Sequence, residues 1–144
     1  MKLCILGGGL TGLSLAKSLV KKGLSIDIFL NKKKSDFNRS RTIGISNDNL
    51  MYFNKEILDI KKLSWDIKKI EIYSDNLRNE KILNFENNNK TVFAIIRNYQ
   101  LQSKLLKSLK KDKLCKFKQN FDYNLSNLKK YKLIINCEND NYFS

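Results

Sequence analysis

Three glycines near the N-terminus are the residues whose spacing most directly indicates a chemistry. The segment GGGLTG at positions 7–12 contains the pattern G-x-G-x-x-G. In dinucleotide-binding proteins the first glycine permits a tight turn, the second lets the backbone approach a pyrophosphate, and the third allows close helix-to-strand packing. A helix that begins there directs free N–H groups and its positive dipole end at phosphates. The spacing predicts a pyrophosphate-binding loop whose contact residues are Gly7, Gly9, Leu10, Thr11 and Gly12.

The elements that must position this loop are indicated on both sides of it. Lys2 to Leu6 is a short apolar run that ends in glycine, as a buried parallel strand does. Leu10 to Lys22 places apolar residues at helical spacing, and Gly23 stands where a helix C-terminal glycine is common. Ser25 to Leu30 alternates and predicts a second strand. These elements form a βαβ unit, which is the context that the glycine pattern requires. The alternative is that the glycines form only a strand-to-helix turn and bind no ligand.

The ribose side of the pattern differs from the phosphate side. An acidic residue normally stands at the tip of the second strand and holds the ribose hydroxyls. Here that position is Leu30, and Asn31 follows it. Leucine offers no hydrogen-bond acceptor in its side chain, so Asn31 is the candidate ribose contact if the strand end shifts by one residue. A second alternative is that the domain has this fold but no longer binds a dinucleotide.

The remainder of the chain continues as mixed α/β structure in one domain, residues 1–144, because no Pro/Gly/Ser-rich linker divides it. The segment from Asn47 to about Leu58 predicts a helix with Asn47 or Asp48 as N-cap, and Asn98 to Lys110 predicts a second amphipathic helix. Further strands are predicted at Arg41–Ser46, Ile67–Tyr73, Lys81–Phe85, Thr91–Ile96 and Leu133–Asn136, and a sixth is indicated within Leu114–Tyr123.

Composition excludes several kinds of chemistry. The chain has no histidine and three scattered cysteines, so His-based catalysis, a disulfide framework and the common zinc sites are not expected. We predict no metal site and no catalytic residue in this chain.

The absence of a signal-peptide pattern predicts a cytoplasmic location. The net charge of +14 has two explanations, a biased Lys- and Asn-rich composition or a basic surface for nucleic acid or membranes. With no nucleic-acid-binding motif, no specific nucleic acid partner is expected.

Four further segments carry a family resemblance: SRTIGIS at 40–46, Trp65 followed by IEIYSD at 70–75, the segment 92–106, and LIINCENDN at 133–141. Together with the glycine segment, they resemble the para-hydroxybenzoate-hydroxylase-like FAD-dependent monooxygenases, most closely the ubiquinone-biosynthesis aromatic hydroxylases. The resemblance implies a Rossmann-like FAD-binding domain with additional β-strands, in which Arg41 and Asn98 contact FAD. Five positions depart from the family pattern. Leu30 replaces the ribose-binding acid, Arg97 stands in place of Glu, and Asn136, Glu138 and Asn139 stand where the family has Gly-Ala-Asp-Gly elements, with Glu138 as the counterpart of the Asp.

The resemblance also implies an activity and a context. Relatives use NAD(P)H and O₂ to hydroxylate a small aromatic substrate, polyprenylated in the ubiquinone-type enzymes, and peripheral attachment to the inner membrane face is a further expectation. Because family members are much longer, the resemblance implies an N-terminal portion: a truncated product, a fragmentary gene model or one half of a split protein. The alternative is a vestigial, non-enzymatic nucleotide-binding domain.

Overall fold

The computed structural model describes residues 2–30, 39–75, 78, 80–119 and 129–138. Within these ranges the chain forms nine strands, three α-helices and two short helical turns. In chain order they are β1 (Lys2–Leu6), α1 (Leu10–Lys21), β2 (Ser25–Leu30), β3 (Thr42–Ser46), α2 (Asn47–Tyr52), a π-helical turn (Phe53–Ile57), a 3₁₀ turn (Lys61–Leu63), β4 (Ser64–Ile67), β5 (Lys69–Tyr73), β6 (Lys81–Glu86), β7 (Phe93–Arg97), α3 (Asn98–Lys110), β8 (Cys115–Gln119) and β9 (Leu133–Asn136).

A parallel four-stranded sheet, in the order β8-β2-β1-β9, forms the centre of the domain. β1 pairs with β2 on one side and with β9 on the other, β2 also pairs with β8, and all three pairings are parallel. The chain leaves β1 toward β2 and later returns to its opposite side as β9, so the direction of winding reverses beside β1. In open α/β sheets, ligands bind at the carboxyl ends of the strands at such a reversal.

Helices α1 and α3 cover one face of this sheet and form the core with it. Alternation along the strands turns one set of side chains toward the helices, and these pack against apolar residues spaced three and four apart on each helix. The buried residues of this layer are Leu3, Ile5, Ile26 and Ile28 from the strands, Leu13, Ala16 and Val20 from α1, and Leu101, Leu105 and Leu109 from α3. The α/β prediction is confirmed, and the predicted helix at 98–110 matches α3.

Helix α1 ends at a left-handed glycine, as predicted. Gly23 has φ +79°, a conformation that costs side-chain-bearing residues energy. Its N–H donates to the Val20 carbonyl at 2.9 Å, and the N–H of Leu24 donates to the Leu19 carbonyl at 3.2 Å. These two bonds form a Schellman motif, which turns the chain directly into β2.

Two antiparallel sheets accompany the parallel one, and they correct one prediction. The segment Ile67–Tyr73 is not a single strand, because its two parts pair with different partners. β4 joins β7 in a sheet of order β3-β7-β4, whereas β5 pairs with β6 in a separate two-stranded sheet. Only Lys68 lies between them. Period-two alternation continues across such a break, so the sequence pattern does not reveal it.

Helix α2 also differs from the prediction at both ends. Ser46 is the N-cap, not Asn47 or Asp48, because its hydroxyl oxygen accepts a 3.4 Å bond from the Asn49 N–H. The α-helix then gives way to a π-helical turn, in which the Leu58 N–H donates to the Phe53 carbonyl at 2.9 Å. Leu58 itself is extended, so the helical segment ends at Ile57.

The last two strands lie at the edges of the parallel sheet. β8 occupies Cys115–Gln119 of the predicted Leu114–Tyr123 segment, whose final residues lie outside the described ranges. The apolar run Leu133–Asn136 predicts a buried strand, but in β9 Leu133 is 52% exposed. An edge strand has a neighbouring strand on one side only, which leaves its side chains more open to solvent.

A buried carboxylate occupies the sheet face opposite the helices. Asp27, in the middle of β2, is fully buried. Its Oδ2 lies 2.6 Å from Lys118 Nζ and 2.9 Å from Lys2 Nζ, and accepts a 2.7 Å bond from the Tyr131 hydroxyl. Burial raises the pKa of Asp27, but the hydrogen bonds from Lys118, Lys2 and Tyr131 outweigh it and hold that pKa below its usual range. The sequence alternation gave no indication of this cluster.

We expect Asp27→Asn to lower the free energy of unfolding by about 2 kcal/mol at pH 7, because it removes one partner of a buried charge pair. This figure is reduced for solvent screening, since the Lys2 and Lys118 side chains are 42% and 40% exposed. The folded-state pKa of Asp27 is depressed, so its contribution is present above the unfolded pKa of about 3.9. It is lost as pH falls through the folded-state value.

Urea unfolding of wild type and variant across a pH series measures this difference. The exposed Asp66 provides the control as Asp66→Asn. A destabilisation by Asp27→Asn that did not shrink in acid would contradict the assigned role of the carboxylate.

Candidate phosphate-binding site

The glycine loop leaves the carboxyl end of β1 in a conformation that requires glycine at its first position. The Gly7 N–H donates to the Phe29 carbonyl at 2.9 Å, which continues the pairing with β2. Gly7 has φ +111°, and a Cβ there would lie 2.9 Å from Cγ of Glu138 and 3.1 Å from the Cys137 carbonyl oxygen. The end of β9 therefore packs directly against the first glycine.

Gly12 brings α1 into close contact with the loop. It is buried in the first turn of the helix, and a Cβ there would lie 2.4 Å from the Gly7 carbonyl oxygen. A methyl group has no room at that distance, so either the helix or the loop would have to move. This is the packing role that the spacing predicts for the third glycine.

Gly9 differs from both, because the fold itself does not need glycine there. Its backbone is extended, with φ −73° and ψ 176°, which any residue adopts. A Cβ at Gly9 would meet no atom of the described residues within 4 Å. Within the described residues, the space in front of Gly9 is therefore open. Only a ligand that approaches from outside would require that this position has no side chain.

The N-terminus of α1 faces this open space without a neutralising group of its own. Gly9 is the N-cap, no side chain caps the helix, and the first turn contains no acidic residue. Leu10 is half-buried and Thr11 is exposed. The first N–H groups of a helix lack intrahelical acceptors, and the helix dipole adds positive potential there. This end of α1 thus offers donors to an anion.

Gln102 is a site residue that sequence reasoning missed. From α3, its Nε2 donates to the Gly8 carbonyl oxygen at 2.8 Å. On the other side of Gly8, a Cβ would lie 2.4 Å from Cδ2 of Leu30. Gly8 is held between a hydrogen bond and an apolar contact, which fixes the loop. Gln102 is one polar residue on an amphipathic helix, and nothing in its spacing distinguishes it from the others.

Arg41 and Asn98, the two residues to which the resemblance gives contacts with FAD, are joined through their backbones. The Asn98 N–H donates to the Arg41 carbonyl oxygen at 3.0 Å. Asn98 lies four residues before Gln102 and so shares its helix face. The Asn98 Oδ1 atom is buried and has no hydrogen-bond partner among the described residues. Arg41 is exposed, so its guanidinium is accessible to an anion.

The ribose side of the site agrees less well with a dinucleotide. Leu30 ends β2 and is half-buried, and Asn31, the proposed alternative contact, lies outside the described residues. The acidic residue of this strand is Asp27, whose carboxylate is engaged by two lysines. Within the described ranges, the phosphate half of the site fits a dinucleotide and the strand tip lacks the acidic ribose partner.

The three thiols of the chain are not activated for nucleophilic chemistry. Burial raises the pKa of Cys4 to about 12 and that of Cys115 to about 11. Burial also raises the pKa of Cys137. Thiols with raised pKa values stay protonated near neutral pH and are poor nucleophiles and metal ligands. In the described ranges, no three His, Cys, Asp or Glu side chains cluster to hold a metal ion.

Fold and site together define the class. A parallel sheet with a glycine loop after β1, a helix beginning at that loop and a winding reversal beside β1 constitute a Rossmann-like dinucleotide-binding fold. The additional antiparallel strands distinguish it from the simplest members of that class.

Comparison with solved structures finds this fold in monooxygenases that include FAD-containing ones. Similar structures include p-nitrophenol 4-monooxygenase PnpA from Pseudomonas putida, at 16% identity and a TM-score of 0.66 over 82% of this chain. PqsL from Pseudomonas aeruginosa in complex with 2-aminobenzoylacetate has 14% identity and a TM-score of 0.64 over 83% of the chain. HpxO from Klebsiella pneumoniae, complexed with FAD and uric acid, has 18% identity and a TM-score of 0.59 over 81% of the chain.

The match covers only part of each of these proteins. It spans 31% of the length of PnpA, 33% of PqsL and 30% of HpxO. A scan against protein-family models finds no match, and neither does a search of curated proteins. At these identities the comparison establishes the fold.

The glycine geometry separates two kinds of substitution. We expect Gly12→Ala to lower the free energy of unfolding by about 2 kcal/mol, because overpacking at a 2.4 Å contact forces the backbone to shift. Gly9→Ala should leave stability within about 0.5 kcal/mol of wild type, since its Cβ enters open space. Chemical denaturation of both variants measures this. Equal destabilisation by the two substitutions would show that the loop is not packed as described.

Proposed function

We propose that this chain binds the pyrophosphate and adenosine half of FAD through the loop 7–12. The observation that carries the proposal is the open space at Gly9 in front of the uncapped N-terminus of α1. A glycine that the fold does not need, at the point where a helix presents free N–H donors, is what close approach of a pyrophosphate requires. The presence of FAD in the structurally similar HpxO supports the same ligand.

The residues around the loop have separable roles in this proposal. Gly9, Leu10, Thr11 and Gly12 supply backbone donors to the phosphates, while Gly7 and Gly12 shape the turn. Gln102 positions Gly8 and thereby the loop. Arg41 contributes positive charge at the edge of the site, and Asn98 is the second residue to which the resemblance gives a contact with FAD. Asn31 is proposed as the ribose contact.

In a longer protein with this fold, we propose that the domain serves a monooxygenase acting on a small aromatic ring. When bound, flavin supplies redox chemistry with O₂, and the protein positions and shields it. PqsL in complex with 2-aminobenzoylacetate supports the aromatic substrate class. The ubiquinone-biosynthesis type, a polyprenylated substrate and electrons from NAD(P)H rest on the family resemblance. Peripheral attachment to the inner membrane face also rests on the resemblance. A single domain over 1–144 is proposed because no Pro/Gly/Ser-rich linker divides the sequence, and a cytoplasmic location because the sequence shows no signal-peptide pattern. No described helix is long and apolar enough to cross a membrane.

Binding of FAD to the purified chain tests the proposal directly. We expect the wild-type chain to bind FAD and ADP through the same contacts to the loop. Gly9→Val should weaken the affinity for each ligand by more than about tenfold, or about 1.4 kcal/mol. The isopropyl group would occupy the space that the pyrophosphate needs, without disturbing the fold. Calorimetric titration measures both affinities.

Lys22→Val, at the opposite end of the same helix, is the matched control and should bind as wild type. Failure of wild type to bind FAD or ADP would favour the vestigial, non-binding alternative. Equal affinity of Gly9→Val and wild type would show that the ligand does not approach this loop.

Restoring an acid at the strand tip should strengthen binding on the ribose side. We expect Leu30→Glu to raise ADP affinity about tenfold, because a carboxylate that accepts ribose O–H donors contributes about 1.5 kcal/mol. Leu30→Gln, of similar shape and without charge, should gain less. The same titration with 2′,3′-dideoxy-ADP is the control, and a gain that persisted there would exclude a ribose contact.

A further inference from the structure

A cavity of about 520 Å³ lies where α2, the π-helical turn and the 3₁₀ turn meet. Its lining residues are Met51, Tyr52, Asn54, Lys55 and Lys61. Sites for small molecules occupy about 300–1,000 Å³, so this cavity has the size for one. It lies beside the C-terminal end of α1, where Lys21 Nζ donates to the Lys55 carbonyl oxygen at 3.0 Å. The twelve residues of α1 rise by about 18 Å, so the cavity is remote from the glycine loop.

The backbone around this cavity is held in place by side chains of the described residues. Lys104 Nζ, from α3, donates to the Asp59 carbonyl oxygen. The Asp59 carboxylate accepts the Lys61 N–H at 3.0 Å, and the Asn54 Oδ1 atom accepts the Ile60 N–H at 2.7 Å. These bonds fix the walls without help from any further segment of protein. The cavity is therefore preformed, as ligand sites usually are.

The polar groups that line the cavity are donors, and two of them are cations. Because the Asn54 oxygen is engaged, its amide N–H groups are the part that can meet a ligand. The Lys55 ammonium lies 3.7 Å from the Glu56 carboxylate, a long and solvent-exposed ion pair. Lys61 takes part in none of the ion pairs of the described residues. No acidic residue lines the cavity, so its chemistry favours an anion.

The other side of the cavity is flat and apolar. Tyr52 and Met51 are 56% and 62% exposed, and they supply an aromatic ring and an adaptable thioether chain. An apolar protein segment packed into the cavity would cover the two ammonium groups without a counter-charge, which costs free energy. A dianion that carries an aromatic ring satisfies the cations and the apolar wall together. Charge complementarity thus favours such a small molecule over apolar protein packing.

We propose that this cavity binds a small phosphate monoester that carries an aromatic ring. The phosphate contacts the ammonium groups of Lys55 and Lys61, with the Asn54 amide as a further donor, and the ring packs on Tyr52 and Met51. Lysine binds phosphate as a point charge, and the net charge of +14 raises the local concentration of anions. The site shares no residue with the glycine loop and does not depend on the proposed function.

Titration of the purified full chain with phenyl phosphate tests this proposal, with calorimetry for affinity and two-dimensional NMR for location. We expect a dissociation constant on the order of 1 mM, and binding of inorganic phosphate or phenol at least about tenfold weaker, because each offers only part of the contacts. Amide resonances within 51–61 should shift. Repeating the titration with Gly9→Val, whose side chain obstructs the glycine loop, separates the cavity from the loop.

Substitutions of exposed lysines separate the cavity from general surface charge. Lys61→Gln should weaken the binding of phenyl phosphate by more than about tenfold, whereas Lys61→Arg, which keeps the charge, should stay within about threefold of wild type. Lys62→Gln removes the same charge from the next residue, which does not line the cavity, and should also stay within about threefold. Tyr52→Ala should abolish the preference for phenyl phosphate over inorganic phosphate.

Three results would each overturn the proposal. A wild-type chain that shows no saturable binding of phenyl phosphate would assign the cavity to packing against other protein. Equal losses from Lys61→Gln and Lys62→Gln would show that binding follows net charge and not this cavity. NMR shifts confined to residues 7–12 would show that the phosphate binds at the glycine loop alone.

Discussion

The contact between Gly12 and the Gly7 carbonyl is the constraint on which the rest of the domain depends. With no side chain at Gly12, α1 begins directly against the end of β1. That position directs Leu13, Ala16 and Val20 into the core and leaves the helix N-terminus facing outward at the loop. The absence of a methyl group at Gly12 therefore allows both the core packing of α1 and ligand access to its N-terminus. A substitution at Gly12 would affect both.

Helix α3 connects the two parts of the structure that a site needs. Its apolar side packs in the core with α1, while Gln102 holds the Gly8 carbonyl and Asn98 is bonded to the Arg41 backbone. Because both polar contacts are made from one helix face, the loop and the segment before β3 have fixed positions relative to each other. The site is thus assembled on packed secondary structure, and the orientation of its backbone donors is set before any ligand arrives.

The sequence predicted the parts of this structure that depend on local rules. Strands β1 and β2, helix α3 and the Gly23 turn follow from periodicity and from the conformational preference of glycine. The features that were not predicted depend on which strands and residues pair across long distances in the sequence. Alternation across Lys68 could not show that β4 and β5 enter different sheets. Gln102 contacts Gly8 across 94 positions, and such a bond leaves no mark on local spacing.

Strand β2 contributes one residue to the stability of the sheet and another to the position of the glycine loop. Its acid, Asp27, lies mid-strand and is neutralised by Lys2 and Lys118, so it supports the sheet and offers nothing at the tip. The tip residue, Leu30, packs against Gly8 and so supports the loop. Both residues contribute to preorganisation of the phosphate half, whereas neither contributes a ribose acceptor. On the proposed function, binding free energy comes chiefly from backbone donors, the α1 dipole and Arg41. Affinity should then depend on the diphosphate far more than on the sugar attached to it.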